Sequence, residues 1–201
     1  MMGDKKEREY FVQYDRSISS YLCKMLLYMS LSGPAIAIAT AAGFFHMNIY
    51  QVIIIVVVVM FACLSPCALE KSGVSSSFLK YYIVFIISTL VCVIAMIPHV
   101  GIWITFILGV ALSMLFLDRL LTAAVSIYSY ALMLIAMYVR VERWCAAGSL
   151  IADRQYDVMT NYIGYAAGLT IEFLLVCPVF MMAVKIEREH LSNAENLPEL
   201  M

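Results

Sequence analysis

Between Asp157 and Lys185 the chain carries a single charged residue type, Glu172, in a run that is otherwise almost wholly apolar. An acid so placed has two uses. It can bind a ligand or take up and release a proton, and an acid inside a membrane span is a functional candidate by default. It can also simply hydrogen-bond to a neighbouring helix and hold a bundle together. Lys24 is no partner for it, because that residue falls near the edge of its own apolar run. Ser32, Ser88, Thr89, Ser129 and Tyr130 fall at comparable depth. The candidate ligand-binding set is Glu172 with Ser129, Tyr130 and Ser88, although serines and threonines in membrane helices are also routine packing residues.

The other reactive residue types form no catalytic constellation. Six cysteines (Cys23, Cys63, Cys67, Cys92, Cys145, Cys177) lie mostly inside apolar runs, without a CxxC, and read as small apolar fillers. His46 and His99, with Glu142, Asp153 and Asp157, allow an outer metal site to be drawn, but their spacing specifies none. His190 reads as solvated. A membrane serine protease needs a Gly-x-Ser-x motif within a span, whereas Gly73-Val74-Ser75-Ser76 sits in a polar loop. A membrane cysteine protease needs a histidine and a cysteine together on the inner side, and the histidines nearest the spans fall outside. No enzymatic activity, cofactor or metal is expected.

The elements that must position Glu172 follow from one stretch, Gly101–Val139. Val100–Leu117 and Leu120–Val139 are both apolar, separated by Asp118-Arg119. One helix over the whole stretch would be about 58 Å long, against a hydrocarbon core of about 30 Å that needs about 20 residues to cross. It would also bury its only charges mid-bilayer, at about 2.5–3.5 kcal/mol each. Two spans joined by a tight turn leave the pair in water. The whole chain of 201 residues is 64% hydrophobic and 13% charged, where soluble domains run near 25% charged. It reads as an all-α integral membrane protein. A net charge of −1 gives no nucleic-acid surface.

Counting outward from that hairpin gives six transmembrane helices: about Met25–Phe45, Ile49–Leu69, Phe78–Ile97, Gly101–Leu117, Leu120–Val139 and Tyr162–Val184. Pro34 should kink the first. Residues 1–24 are charged and aromatic with apolar residues at spacings of three and four, and are expected to form a cytoplasmic interfacial helix. No cleavable signal peptide is read there. Residues 25–184 form the membrane domain and 185–201 a polar cytoplasmic tail or the start of a signalling helix. Arg140–Asn161 is the longest polar connection and Pro98–Val100 a tight hairpin. With both ends cytoplasmic, Lys5, Lys6, Arg8, Arg16, Lys24, Lys71, Lys80, Arg119, Lys185 and Arg188 are inside, and Arg140, Arg143 and Arg154 outside. The positive-inside rule chooses that orientation, and Trp103 and Trp144 then fall at the outer boundary.

Leu115–Ala131 reads LFLDRLLTAAVSIYSYA, and a serine-bearing loop precedes Phe78-Leu79-Lys80-Tyr81-Tyr82. This pattern resembles the six-helix membrane regions ahead of output domains in bacterial diguanylate cyclases, chemoreceptors and sensor kinases. The resemblance implies an input module in a bacterial inner membrane, signalling through its last helix to a fused or associated cytoplasmic domain. No output domain follows within these residues. The expected partners are the lipid bilayer, a second copy of the chain, such an output domain and a small ligand of unknown chemistry. The rival readings are the substrate-binding membrane subunit of a small transporter, such as a vitamin importer, and a non-catalytic scaffold.

Overall fold

The computed structural model describes residues 2–43, 48–96, 104–146 and 157–196. All regular structure among them is helical: α1 Met2–Met29, α2 Ser32–Ala41, α3 Ile49–Lys71, α4 Ser76–Ala95, a 3-10 turn Ile104–Ile107 leading into α5 Leu108–Met114, α6 Arg119–Ala146 and α7 Val158–Asn196. Among the described residues five stretches are long and apolar enough to cross a membrane: Tyr10–Ala41, Ile49–Lys71, Ser76–Ala95, Arg119–Ala146 and Val158–Leu191. The chain is a multi-pass helical protein. Where the fourth span was expected, the described residues hold a shorter apolar helix, Thr105–Met114.

The chain divides into two compact units, Met1–Leu90 and Val91–Met201. In the first, α1 and α2 both pack on α3. The buried stripe of α1 runs Asp15, Ser19, Leu22, Cys23 and Leu26, spaced mostly by three and four as one helical face requires, and the buried Ser30 follows just past its end. The buried face of α3 runs Val52, Ile55, Val59, Ala62, Cys63 and Pro66, and Cys67 Sγ donates to the Cys23 carbonyl of α1 at 3.0 Å. The β-branched run Val52–Val59 is helical, because in hydrocarbon only a helix satisfies the backbone of an isolated segment. Asn48 starts α3 with a reciprocal cap: its Oδ1 accepts from Tyr50 N at 3.3 Å, while its own N donates to Gln51 Oε1 at 3.2 Å.

The break at Ser30–Leu31 has a cause in Pro34. A proline ring collides with the carbonyl four residues back, here that of Ser30, and offers it no N–H. The chain kinks there, and Gly33 lets α2 approach α3: a Cβ at Gly33 would stand 3.5 Å from the Val56 Cα. The expected interfacial segment is therefore a helix running without interruption into the first span.

In the second unit α6 is the central element, packing on α5 and α7. Its buried face runs Leu121, Thr122, Val125, Ser126, Ser129, Met133, Ala136, Met137, Arg140, Val141, Trp144. The Asp118 carboxylate begins the helix, its Oδ1 accepting from Leu120 N at 3.0 Å and Leu121 N at 3.2 Å. Leu117 before it takes a left-handed φ of +52°, which closes the α5–α6 turn. Ser113 Oγ donates 3.1 Å across that turn to Thr122 Oγ1. The expected polar connection Arg140–Asn161 is shorter than its composition implied, since α6 continues to Ala146 and α7 starts at Val158. Pro98–Val100, Trp103, His46, His99, Asp153 and Arg154 lie outside the described residues.

Candidate functional site

The α6–α7 seam is built of hydroxyls and rings. Tyr130 Oη lies 3.0 Å from Thr170 Oγ1, and the Tyr130 ring rests 5.5 Å from that of Phe173. Further along, Tyr138 meets Tyr162 edge-on at 5.5 Å, and Trp144 meets Tyr165 at 5.9 Å. Thr170 also donates to Ala166 O at 2.6 Å, the back-bond typical of a hydroxyl in a membrane helix.

This seam decides where the expected ligand-binding residues go. Ser129 is buried on α6, and Tyr130 faces α7. Either use read for Glu172 turns it toward a ligand or a neighbouring helix, and here it is exposed. Thr170 and Phe173 hold the side of α7 that meets α6. Glu172 is one residue, or about 100°, round from Phe173, and so it leaves the seam. Ser88 belongs to the other unit, where its Oγ donates to Val84 O at 3.0 Å within α4. Ser126 and Thr122 make the same kind of back-bond, at 2.8 and 3.0 Å. These bonds satisfy the hydroxyls locally, which is packing chemistry.

Two polar features escaped the sequence reading. Lys80 Nζ stands 2.9 Å from Asp15 Oδ2, an ion pair with both side chains 11% exposed, joining α4 to α1. Arg140 and Arg143, expected in a loop, are helical and cap the end of α4: Arg143 Nη1 donates to Met96 O at 2.9 Å and Arg140 Nη1 to Ala95 O at 3.4 Å. The Arg140 guanidinium also lies 5.0 Å over the Trp144 ring. The signal for the second was available, since Arg140, Arg143 and Trp144 continue the three-and-four spacing of α6.

Among the described residues no three His, Cys, Asp or Glu side chains gather as metal ligands. The six cysteines are free thiols, and Cys67 Sγ donates to the Cys23 carbonyl at 3.0 Å. At the start of α7, Asp157 accepts from Thr160 N at 3.0 Å. Its bonds to the Thr160 side chain and backbone hold this carboxyl below the usual aspartate range. No protein-family model matches the chain, and neither does any curated protein or solved structure.

Proposed function

We propose that the protein is a membrane input module of six spans, with both termini cytoplasmic in a bacterial inner membrane, that passes a conformational signal through α7. The observation that carries this reading is the continuity of α7. Its 39 residues are helical from Val158 to Asn196, through the interior Pro178, about 58 Å, nearly twice the hydrocarbon core. A helix of that length carries a rotation or shift at its apolar part directly into its charged part. Arg119, at the α5–α6 turn, lies 3.7 Å from Glu189 on that charged part. This supports one side for the turn and the helix end, as the topology requires. The fourth crossing falls to the segment ending in α5, and residues 1–24 form the cytoplasmic entry to the first span. Glu172 is the residue assigned to the incoming signal.

The test is a reporter kinase or cyclase fused after Met201, with one to four alanines inserted after Lys185. Each insertion turns the downstream helix by about 100°. Output that rises and falls with a period near 3.6 residues supports the reading, and output indifferent to insertion, including a four-glycine insertion that interrupts the helix, overturns it.

A further inference from the structure

We infer that the α1–α3–α4 end of the first unit is a binding site for a zwitterionic phosphoethanolamine group, an ammonium linked to a phosphate. A cavity of about 300 Å³ opens there, with Arg16 and Ser19 on α1, Glu70 at the end of α3, and Ser75 and Ser76 at the start of α4 among its lining. That volume is at the lower end of the range for small-ligand pockets, about 300–1,000 Å³.

Ser19 is the residue that points to an occupant. It is 1% exposed, and its Oγ has no hydrogen-bond partner among the described residues. Helical hydroxyls elsewhere in the chain donate to a carbonyl four residues back: Thr40 to Ile36, Ser88 to Val84, Ser126 to Thr122. A buried hydroxyl left without a partner is destabilising, so a group that accepts from it in the cavity is favoured.

The charges choose the class of that group. Ser75 caps α4, its carbonyl and Oγ accepting from Phe78 N. The Ser76 and Ser77 N–H groups before Phe78 have no partner within the helix, and the helix dipole makes that end positive. Arg16 adds a full positive charge. Asp15, the acid beside it in sequence, is held by Lys80, and no ion pair joins Arg16 to Glu70 among the described residues. Glu70 makes the other pole negative, while the α3 carbonyls near it are taken up by Ser72, Gly73 and Val74. A phosphate alone meets repulsion from Glu70, and a cation alone meets repulsion from Arg16. A zwitterion answers both: the phosphate at Arg16, Ser19 and the α4 N-terminus, the ammonium at Glu70. A primary ammonium donates to the carboxylate where a quaternary one cannot. The span Tyr10–Ala41 is about 48 Å at 1.5 Å per residue, longer than the hydrocarbon core, so the Arg16 end fits the headgroup level.

The intact chain in lipid-free maltoside micelles is followed by thermal unfolding while each probe is added in turn: short-chain phosphatidylethanolamine, phosphatidylglycerol, phosphatidylcholine, free O-phosphoethanolamine and inorganic phosphate. The expected result is a saturable rise in melting temperature with phosphatidylethanolamine that the other two lipids do not match. A rise with free O-phosphoethanolamine as well assigns a soluble source, and a rise with the lipid alone assigns the headgroup, both supporting the site. Ser19→Ala and Arg16→Gln should each weaken the apparent affinity about tenfold, and Glu70→Gln should erase the preference over phosphatidylglycerol. Each variant's melting temperature without probe checks its fold, and Ser19→Ala, the smallest change, carries the test if Glu70→Gln does not fold. Equal effects of phosphatidylglycerol, inorganic phosphate and phosphatidylethanolamine overturn the zwitterion assignment. No rise with any probe, or variants that respond like the parent, overturns the site.

Discussion

Lys80 Nζ and Asp15 Oδ2, 65 positions apart in sequence, meet at 2.9 Å with both side chains only 11% exposed. Removing one partner of a buried pair leaves an uncompensated charge and costs about 3–5 kcal/mol, whereas replacing both with apolar residues of similar size is often neutral or better. Lys80→Met and Asp15→Leu should therefore each destabilise the first unit strongly, and the double variant should recover most of the loss. Denaturant titration of the three variants in micelles measures this cycle. Additive losses would mean that the pair contributes nothing as a pair.

How much of this could be read from the residues alone depended on range. Helix against strand, the Asp118 turn and the Pro34 break were legible, because each is decided by periodicity or by chemistry within four residues. The Lys80–Asp15 pair was not, since a lysine near the end of an apolar run reads equally well as a residue reaching for water. Arg140 was misplaced for a related reason: its charge suggested a loop, and only the carbonyls at the end of α4 explain a buried arginine there. Glu172 shows the limit most plainly. Its depth follows from counting, but which face it takes depends on Thr170 and Phe173 finding Tyr130.

The Asp118 carboxylate caps α6 by accepting from two successive backbone N–H groups. Asp118→Ala should cost about 1 kcal/mol, and Asp118→Asn or Asp118→Ser much less. Hydrogen exchange over Arg119–Val125 reads the effect locally. Equal protection in the Ala and Asn variants would show that packing of Leu121 and Val125, and not the cap, starts the helix.

Arg140 combines a carbonyl bond with a stacked position over Trp144. Lysine keeps the charge but loses the planar fork and the stacking. Arg140→Lys should therefore cost about 1 kcal/mol or more, and Arg143→Lys, at an exposed position, about half of that or less. The two melting temperatures compare them directly, and an ordering with Arg143→Lys the worse would contradict the assignment.

Asp157 gives the pH dependence of the start of α7. Its folded carboxyl is held below the ordinary aspartate value by Thr160, first through the side-chain bond and then the backbone bond. A lowered folded value stabilises above the unfolded pKa, and that contribution is lost as pH falls through the folded value. Amide protection at Val158–Asn161 should thus be constant near neutrality and fall on acidification below the normal aspartate range. Asp157→Asn should flatten the profile, and a parent profile already flat to low pH would remove the carboxylate from the account.

Glu172 is exposed on α7, and no hydrogen bond or ion pair to it occurs among the described residues. An interior acid bonded to a neighbouring helix would lose about 1 kcal/mol on replacement by leucine. An exposed one with no such bond should change stability by no more than about 0.5 kcal/mol. Glu172→Leu is therefore expected to unfold at the same denaturant concentration as the parent. Signalling is expected to separate from stability: in the reporter fusion Glu172→Leu and Glu172→Gln should both lose the response to pH or ligand while keeping basal output. Tyr130→Phe, which breaks the bond to Thr170 in the α6–α7 seam, supplies the contrast. It should lower stability, because the Thr170 hydroxyl loses a partner, and leave the response in place. A Leu variant that unfolds early would return Glu172 to a bonding role between helices. A Leu variant that keeps its response would take the incoming signal away from this residue.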